Sequence, residues 1–236
     1  MDRQLKKVAK TDEFKQQVWH GIDFISGHPA EFKKYGAIAL AVALLAGGIY
    51  FFIRHQAEVR EAALVEAIKV DDATVGGNNQ PSAVHFNTQP EKDQAVAKAY
   101  AEVAAKYHGS QEGAIAAMNL AQTAVDKGDT AGAEKTLKDV IDSAPAAYAS
   151  QAELTLADLY TGQGKYPEAE KLLNDLIKNP TVTVSKEEAQ LALARLKAKT
   201  DPAAARKMLE DLRTQRPAIS KAAMNALGEL AAAGAQ

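Results

Sequence analysis

One string of eight residues occurs three times at a fixed spacing. Ala133 to Val140, Ala169 to Leu176 and Ala205 to Leu212 all read Ala, Glu or Arg, Lys, any residue, Leu, any residue, Asp, then Val or Leu, and each copy stands 36 residues after the last. A fixed period of this length means one small supersecondary unit per repeat. Such a unit is too small to bury its apolar face alone and must stack on its neighbours. Hydrophobic residues make up 47% of the 236-residue chain but aromatics only 6%. Alanine is abundant and β-branched residues are sparse, which favours closely packed helices over sheet. The expected fold class is all-α.

Within one unit the helices can be read directly. Leu154, Leu156, Ala157, Leu159 and Tyr160 mark a first helix, Gly162 and Gly164 a turn, and Ala169, Leu172, Leu173 and Leu176 a second, with Pro180 closing it. Ala133, Ala169 and Ala205 are expected where paired helices cross, because only a small side chain permits that approach. This layout resembles tetratricopeptide repeats over Gln111 to Pro217. The matching positions are Leu120-Ala121, Gly128, Ala133, Leu137 and Pro145, then Leu156-Ala157, Tyr160, Gly164, Ala169 and Leu173, then Ala192-Leu193, Ala205 and Leu209. The period exceeds that family's usual one and its first-helix aromatic is missing, which leaves repeat count and curvature open.

From Tyr35 to Ile53 the chain has nineteen residues without a charge, and at about 1.5 Å per residue a helix of that length spans roughly 28 Å, the thickness of a bilayer core. Tyr35, Tyr50, Phe51 and Phe52 stand at its ends as interfacial rings. A signal peptide is the rival reading, but Phe51-Phe52-Ile53-Arg54 stands where small residues would be needed for cleavage. Seven Lys or Arg precede the run within residues 1–34, against three in Arg54 to Asp72, so the N-terminus is expected to be cytoplasmic and the rest periplasmic. Ala39, Ala43 and Gly47 recur every four residues, a face on which another membrane helix could pack; equally, Ala and Gly are simply common in such helices. Phe14, Val18, Ile22 and Ile25 share one face of a short helix capped by Thr11, expected to lie on the cytoplasmic leaflet with Trp19 at the interface. A docking helix for a cytoplasmic partner is the alternative. The anchor helix is expected to continue to Val70, followed by a Gly-, Asn- and Pro-rich linker from Asp71 to Lys92. The domains are then 1–34, a cytoplasmic segment; 35–53, the transmembrane helix; 54–92, helix extension and linker; and 93–236, the repeat domain.

The formal net charge of −2 gives no basic field for nucleic acid. There is no cysteine, hence no disulfide or thiolate site on either side of the membrane. The histidines, at 20, 28, 55, 85 and 108, do not form the i, i+4 pair of a zinc protease, and nucleophile-elbow and phosphate-loop motifs are missing. No enzyme, cofactor or metal site is expected.

By alignment with tetratricopeptide repeats, the concave face made by the first helices includes Ile115, Met118, Gln122, Gln151, Leu154, Asp158, Glu187 and Gln190, some of which could serve packing alone. Repeat domains that clamp a terminal carboxylate carry Lys, Arg and Asn there. Gln, Asp and apolar groups instead suit extended or apolar segments of partner proteins. The whole arrangement also resembles the YfgM family of ancillary SecYEG translocon subunits. The resemblance rests on the charged N-terminus, the membrane helix near 35–53, RHQAEVREAA beyond it, YHGSQEGAIAAMNLAQTAVDKGDTAGAEKTL and ADLYTGQGKYPEAEKLL. It implies a periplasmic repeat domain beside the SecYEG-type channel, working with a membrane-anchored periplasmic chaperone of PpiD type on emerging envelope proteins. The same architecture could also serve as a scaffold for cell-division or envelope-assembly complexes.

Overall fold

The computed structural model describes residues 29–76, 85–215 and 217–233, with side chains from Lys34 onward. The leaflet helix expected around Phe14 to Ile25 lies outside the described residues. In chain order the elements are α1 (Pro29–Asp71), β1 (Thr74–Val75), β2 (His85–Phe86), α2 (Gln89–Lys106), α3 (Gln111–Asp126), α4 (Thr130–Ser143), α5 (Ala146–Gly162), α6 (Tyr166–Lys178), α7 (Lys186–Thr200), α8 (Pro202–Arg213) and α9 (Pro217–Ala233). The described residues are all-α apart from the two-residue parallel pair, in which Thr74 faces His85. It divides into two compact units, Met1–Glu58 and Val59–Gln236.

In the first unit α1 carries the uncharged run. The stretch from Lys34 is long and apolar enough to cross a membrane, and the protein covers none of its apolar window. Leu44, Leu45, Phe51 and Ile53 are all exposed. So are Ala39, Ala43 and Gly47.

The second unit begins at Val59, well before residue 93, because the helix extension supplies its first apolar face. Leu64 and Ala67 are buried against Val96, Tyr100 and Val103 of α2 and Ala116 of α3. Tyr100 donates its hydroxyl to Asp71 Oδ2 at 3.0 Å. Burial, then the Asp71 bond and charge, push the phenol up to about 12. Arg60 Nε donates to Glu112 Oε2 at 3.0 Å and ties α1 to α3. Helix α2 starts at Gln89, inside the stretch whose composition suggested a linker. Thr88 caps it by accepting from the Glu91 amide, and Pro90 falls in the first turn, where a missing N–H costs nothing.

Three helix pairs follow, α3/α4, α5/α6 and α7/α8, with α9 covering the last. Ala133, Ala169 and Ala205 have no exposed surface, and Leu137, Leu173 and Leu209 beside them are at most 1% exposed. The repeated string therefore lies on the second helix of each pair, with its Ala and Leu facing inward and its Lys and Asp outward. Gly128 and Gly164 adopt φ of +80° and +73° in three-residue turns, a conformation that costs glycine nothing. The third pair has Thr200 at the corresponding place. A β-branched residue disfavours positive φ, and the turn shrinks to Asp201, which caps α8 by accepting from the Ala204 amide at 3.0 Å.

Carboxylates clamp successive units. Glu134 of α4 accepts from Lys138, Tyr160 and Lys165 at 2.7, 2.9 and 3.1 Å. Bonds from Lys138 and Lys165, then Tyr160, hold its carboxyl down at about 2. One repeat on, Glu170 of α6 accepts from Lys197 at 2.8 Å. The long connection between α6 and α7 is pinned by buried Ser150, whose hydroxyl meets Thr181 at 2.7 Å and Thr183 at 3.2 Å.

Two outcomes follow. Ala169→Leu should lower stability by about 1–3 kcal/mol or more through overpacking, whereas Lys171→Ala on the outer face should change it by less than about 0.5 kcal/mol; urea melts of the two check this. Glu134 is held below its ordinary 4.5, so its stabilisation is complete above that pH and fades as pH falls toward about 2. Glu134→Gln should lose less stability than wild type when melts are compared across that interval.

Candidate functional site

Successive first helices touch, α3 with α5, α5 with α7 and α7 with α9; among the described residues no successive second helices approach as closely. The first helices therefore line the inner side of the repeat unit and the second helices its outer side. On α5, Gln151, Leu154 and Asp158 lie three and four residues apart and so share one face; Ile115, Met118 and Gln122 do the same on α3. Gln122, Gln151 and Asp158 are exposed, while Ile115, Met118 and Leu154 are half-buried. The side chain of Ile115 packs on the first core cluster, and those of Met118 and Leu154 on the central one, so all three also serve the core. Gln122 Nε2 donates to Asp126 Oδ1 at 2.9 Å.

The third unit departs from the 36-residue period on its first helix. Ala152, Leu156 and Ala157 are buried on α5, and the buried residues with the same spacing on α7 are Ala189, Leu193 and Ala194, each 37 residues later. Contacts give the same register: Tyr160 reaches Glu134 of the preceding second helix, and Lys197 reaches Glu170 of the next one. A slip of one residue turns a helix face by about 100°. The positions on α7 that correspond to Gln151, Leu154 and Asp158 are thus Glu188, Leu191 and Arg195, with Leu191 covered by the capping cluster. Glu187 and Gln190 are half-buried on a neighbouring strip.

Arg195 is exposed, and its charge acts directly on Asp158. Burial by the surrounding walls pushes the Asp158 carboxyl up and Arg195 pulls it partly back. Asp158 nonetheless reaches water. A side chain that is wet at its tip and crowded by protein on its other sides is what a concave wall produces. Glu153, half-buried on another face of α5, is also pushed up, by burial and then by Asp175. Arg195 was missed from sequence because the repeated string sits on second helices, which keep the 36-residue step. The signal for the slip was present in Thr200-Asp201-Pro202, which replaces the glycine turn.

Among the described residues no three His, Asp or Glu side chains gather as a metal site. His108 Nε2 instead pairs with Asp139 Oδ2 at 3.0 Å on the surface. The inner face offers amides, the carboxylates of Asp158 and Glu188, the guanidinium of Arg195, and apolar groups, a set suited to holding a polypeptide.

No curated protein matches the chain in sequence. A crystal structure of nearly identical TPR-like repeats, described as a kinesin light chain from Podosopora anserina, is similar with a TM-score of 0.49 and 19% identity, over 63% of this chain and 81% of that one. Residues 32–176, from the apolar helix to the end of the second pair, match the tetratricopeptide repeat-like domain. The chain belongs to the tetratricopeptide repeat-like domain family.

Proposed function

We propose that this chain is a membrane-anchored scaffold that binds other proteins along the inner face of its first helices, and that it serves as an ancillary subunit of the Sec translocon linking the channel to periplasmic chaperones. The observation that carries the reading is the presence, in one chain, of an apolar helix that the protein leaves uncovered and a stacked array of helix pairs with an exposed inner face. Stacked tetratricopeptide-like pairs are protein-binding surfaces, and helix-in-groove or extended-segment binding uses such a face without any catalytic group. The excess of Lys and Arg before Tyr35 supports a cytoplasmic N-terminus and a periplasmic repeat domain. The Sec assignment is supported by the resemblance to YfgM along the anchor, the stretch beyond it and the first two repeats. The groove is proposed to comprise Ile115, Met118, Gln122, Gln151, Leu154 and Asp158, together with Glu187 and Gln190 from the alignment and Arg195 from the observed register.

Asp158 supports a binding role energetically. A carboxyl pushed upward by burial binds protons more tightly in the folded chain, so its ionised form costs stability as pH rises. Such a cost is common where residues are kept for function. Asp158→Asn should therefore melt at a higher temperature than wild type at pH 7, with the difference vanishing below the ordinary carboxyl value of 3.8; a lower melting temperature at pH 7 contradicts this. In-membrane crosslinking of the full-length protein, followed by mass spectrometry, should recover Sec channel subunits and periplasmic chaperones. If division or envelope-assembly proteins dominate instead, the protein is a scaffold for those complexes. Protease added outside spheroplasts should digest the repeat domain; a shielded domain contradicts the orientation.

A further inference from the structure

The inner face keeps polar groups that the fold leaves without partners. On the outer side, Glu134 and Glu170 accept hydrogen bonds from lysine and tyrosine side chains, and Asp139 pairs with His108 at 3.0 Å. Among the described residues the side chains of Gln151, Asp158, Glu188 and Arg195 make no such bond. In open water this costs nothing, but protein walls crowd Asp158. A carboxylate that loses hydration without gaining donors is left with unmet hydrogen-bonding capacity.

These four groups line the seam between α5 and α7, which touch. In the register set by the buried residues, Asp158 stands opposite Arg195 and Gln151 opposite Glu188. At one rung the acceptor is therefore on α5 and the donor on α7. At the other the acceptor is on α7 and the donor, the Gln151 amide, is on α5. Along each helix the rungs are seven residues apart, roughly 10.5 Å at 1.5 Å per residue. Three residues of extended chain cover about 10 Å. Successive peptide units of an extended chain turn their N–H and C=O to opposite sides, so a step of three inverts the polarity, as the two rungs do. Leu154 and Leu191, which pack on the cores behind, form an apolar floor between them. Charge selects the same occupant. A cation at Asp158 would lie next to Arg195, with Lys199 one turn beyond it, and an anion at Arg195 would lie next to Asp158. A neutral dipole meets neither repulsion.

We propose that the seam between α5 and α7 grips the main chain of an extended polypeptide segment, with Asp158 and Glu188 accepting peptide N–H groups three residues apart and Arg195 and Gln151 donating to the C=O groups of the same units. This rests on the inner face being the binding surface. It names the form in which a partner is held there, extended, uncharged along this stretch and recognised by its backbone.

The test uses the full-length chain in phosphatidylcholine nanodiscs and three fluorescent peptides with blocked termini. One is built of Val, Thr and Ser. The second has the same side chains but an ester in place of every second amide, which removes N–H groups without adding bulk; the third has Thr replaced by Lys. Because the rungs are an odd number of residues apart, alternate esters disable one rung in every register. The amide peptide should bind, and the ester peptide should bind about tenfold or more weaker, the loss expected for a hydrogen bond to a charged group. Asp158→Ala with Glu188→Ala should bind the amide and ester peptides alike. Asp158→Asn with Glu188→Gln keeps both acceptors and should restore part of the difference. Equal binding of the two peptides by wild type overturns the proposal. So does tighter binding of the lysine peptide that Asp158→Ala removes, since the carboxylate then seats a cation, and so does the failure of every peptide to bind. The inner-face reading is judged separately by Leu154→Arg on the floor between the rungs. If that variant abolishes binding of peptides that wild type does not tell apart, the inner face stands and only the main-chain grip fails; undiminished binding by it places the peptide elsewhere and defeats both.

Discussion

The repeat unit depends on the close crossing of two helices at an alanine. At Ala133, Ala169 and Ala205 the side chain is fully buried, and any larger group would hold the paired helices apart. Close approach lets Leu137, Leu173 and Leu209 reach the core, and that shared core is what each pair lacks alone. The carboxylate clamps at Glu134 and Glu170 then fix how one pair sits on the next. The inner face, and with it every candidate binding residue, inherits its geometry from those crossings.

Much of this was legible because the repeated string lies on the most constrained surface of the fold. Small, large and charged residues must alternate in one order where a second helix meets its partner and water, so the 36-residue period survives in plain view. First helices are freer. They are covered differently at each step, by α5 and α7 in the middle and by α9 at the end, and their apolar residues shift to suit. That freedom hid the one-residue slip in α7, and with it Arg195, from alignment by period. The slip has a physical cause in the loss of the glycine turn at Thr200. The end of α1 was concealed differently: its Leu64 and Ala67 read as a continuation of the anchor, and only contact with Val96, Tyr100 and Val103 shows that they begin the core.

Function follows from what the fold leaves unsatisfied. Among the described residues nothing covers the apolar part of α1, which is long and apolar enough to cross a membrane. The inner face keeps an aspartate whose carboxyl the surrounding walls push upward and Arg195 pulls partly back.

The most direct test of the central claim is site-specific photocrosslinking in intact membranes, with the reactive residue placed at Leu154 on the inner face or at Lys171 on the outer side of α6. The account predicts discrete protein adducts from position 154 and none from position 171. Equal labelling from the two positions, or adducts from 171 alone, would contradict the assignment of the inner face as the binding surface.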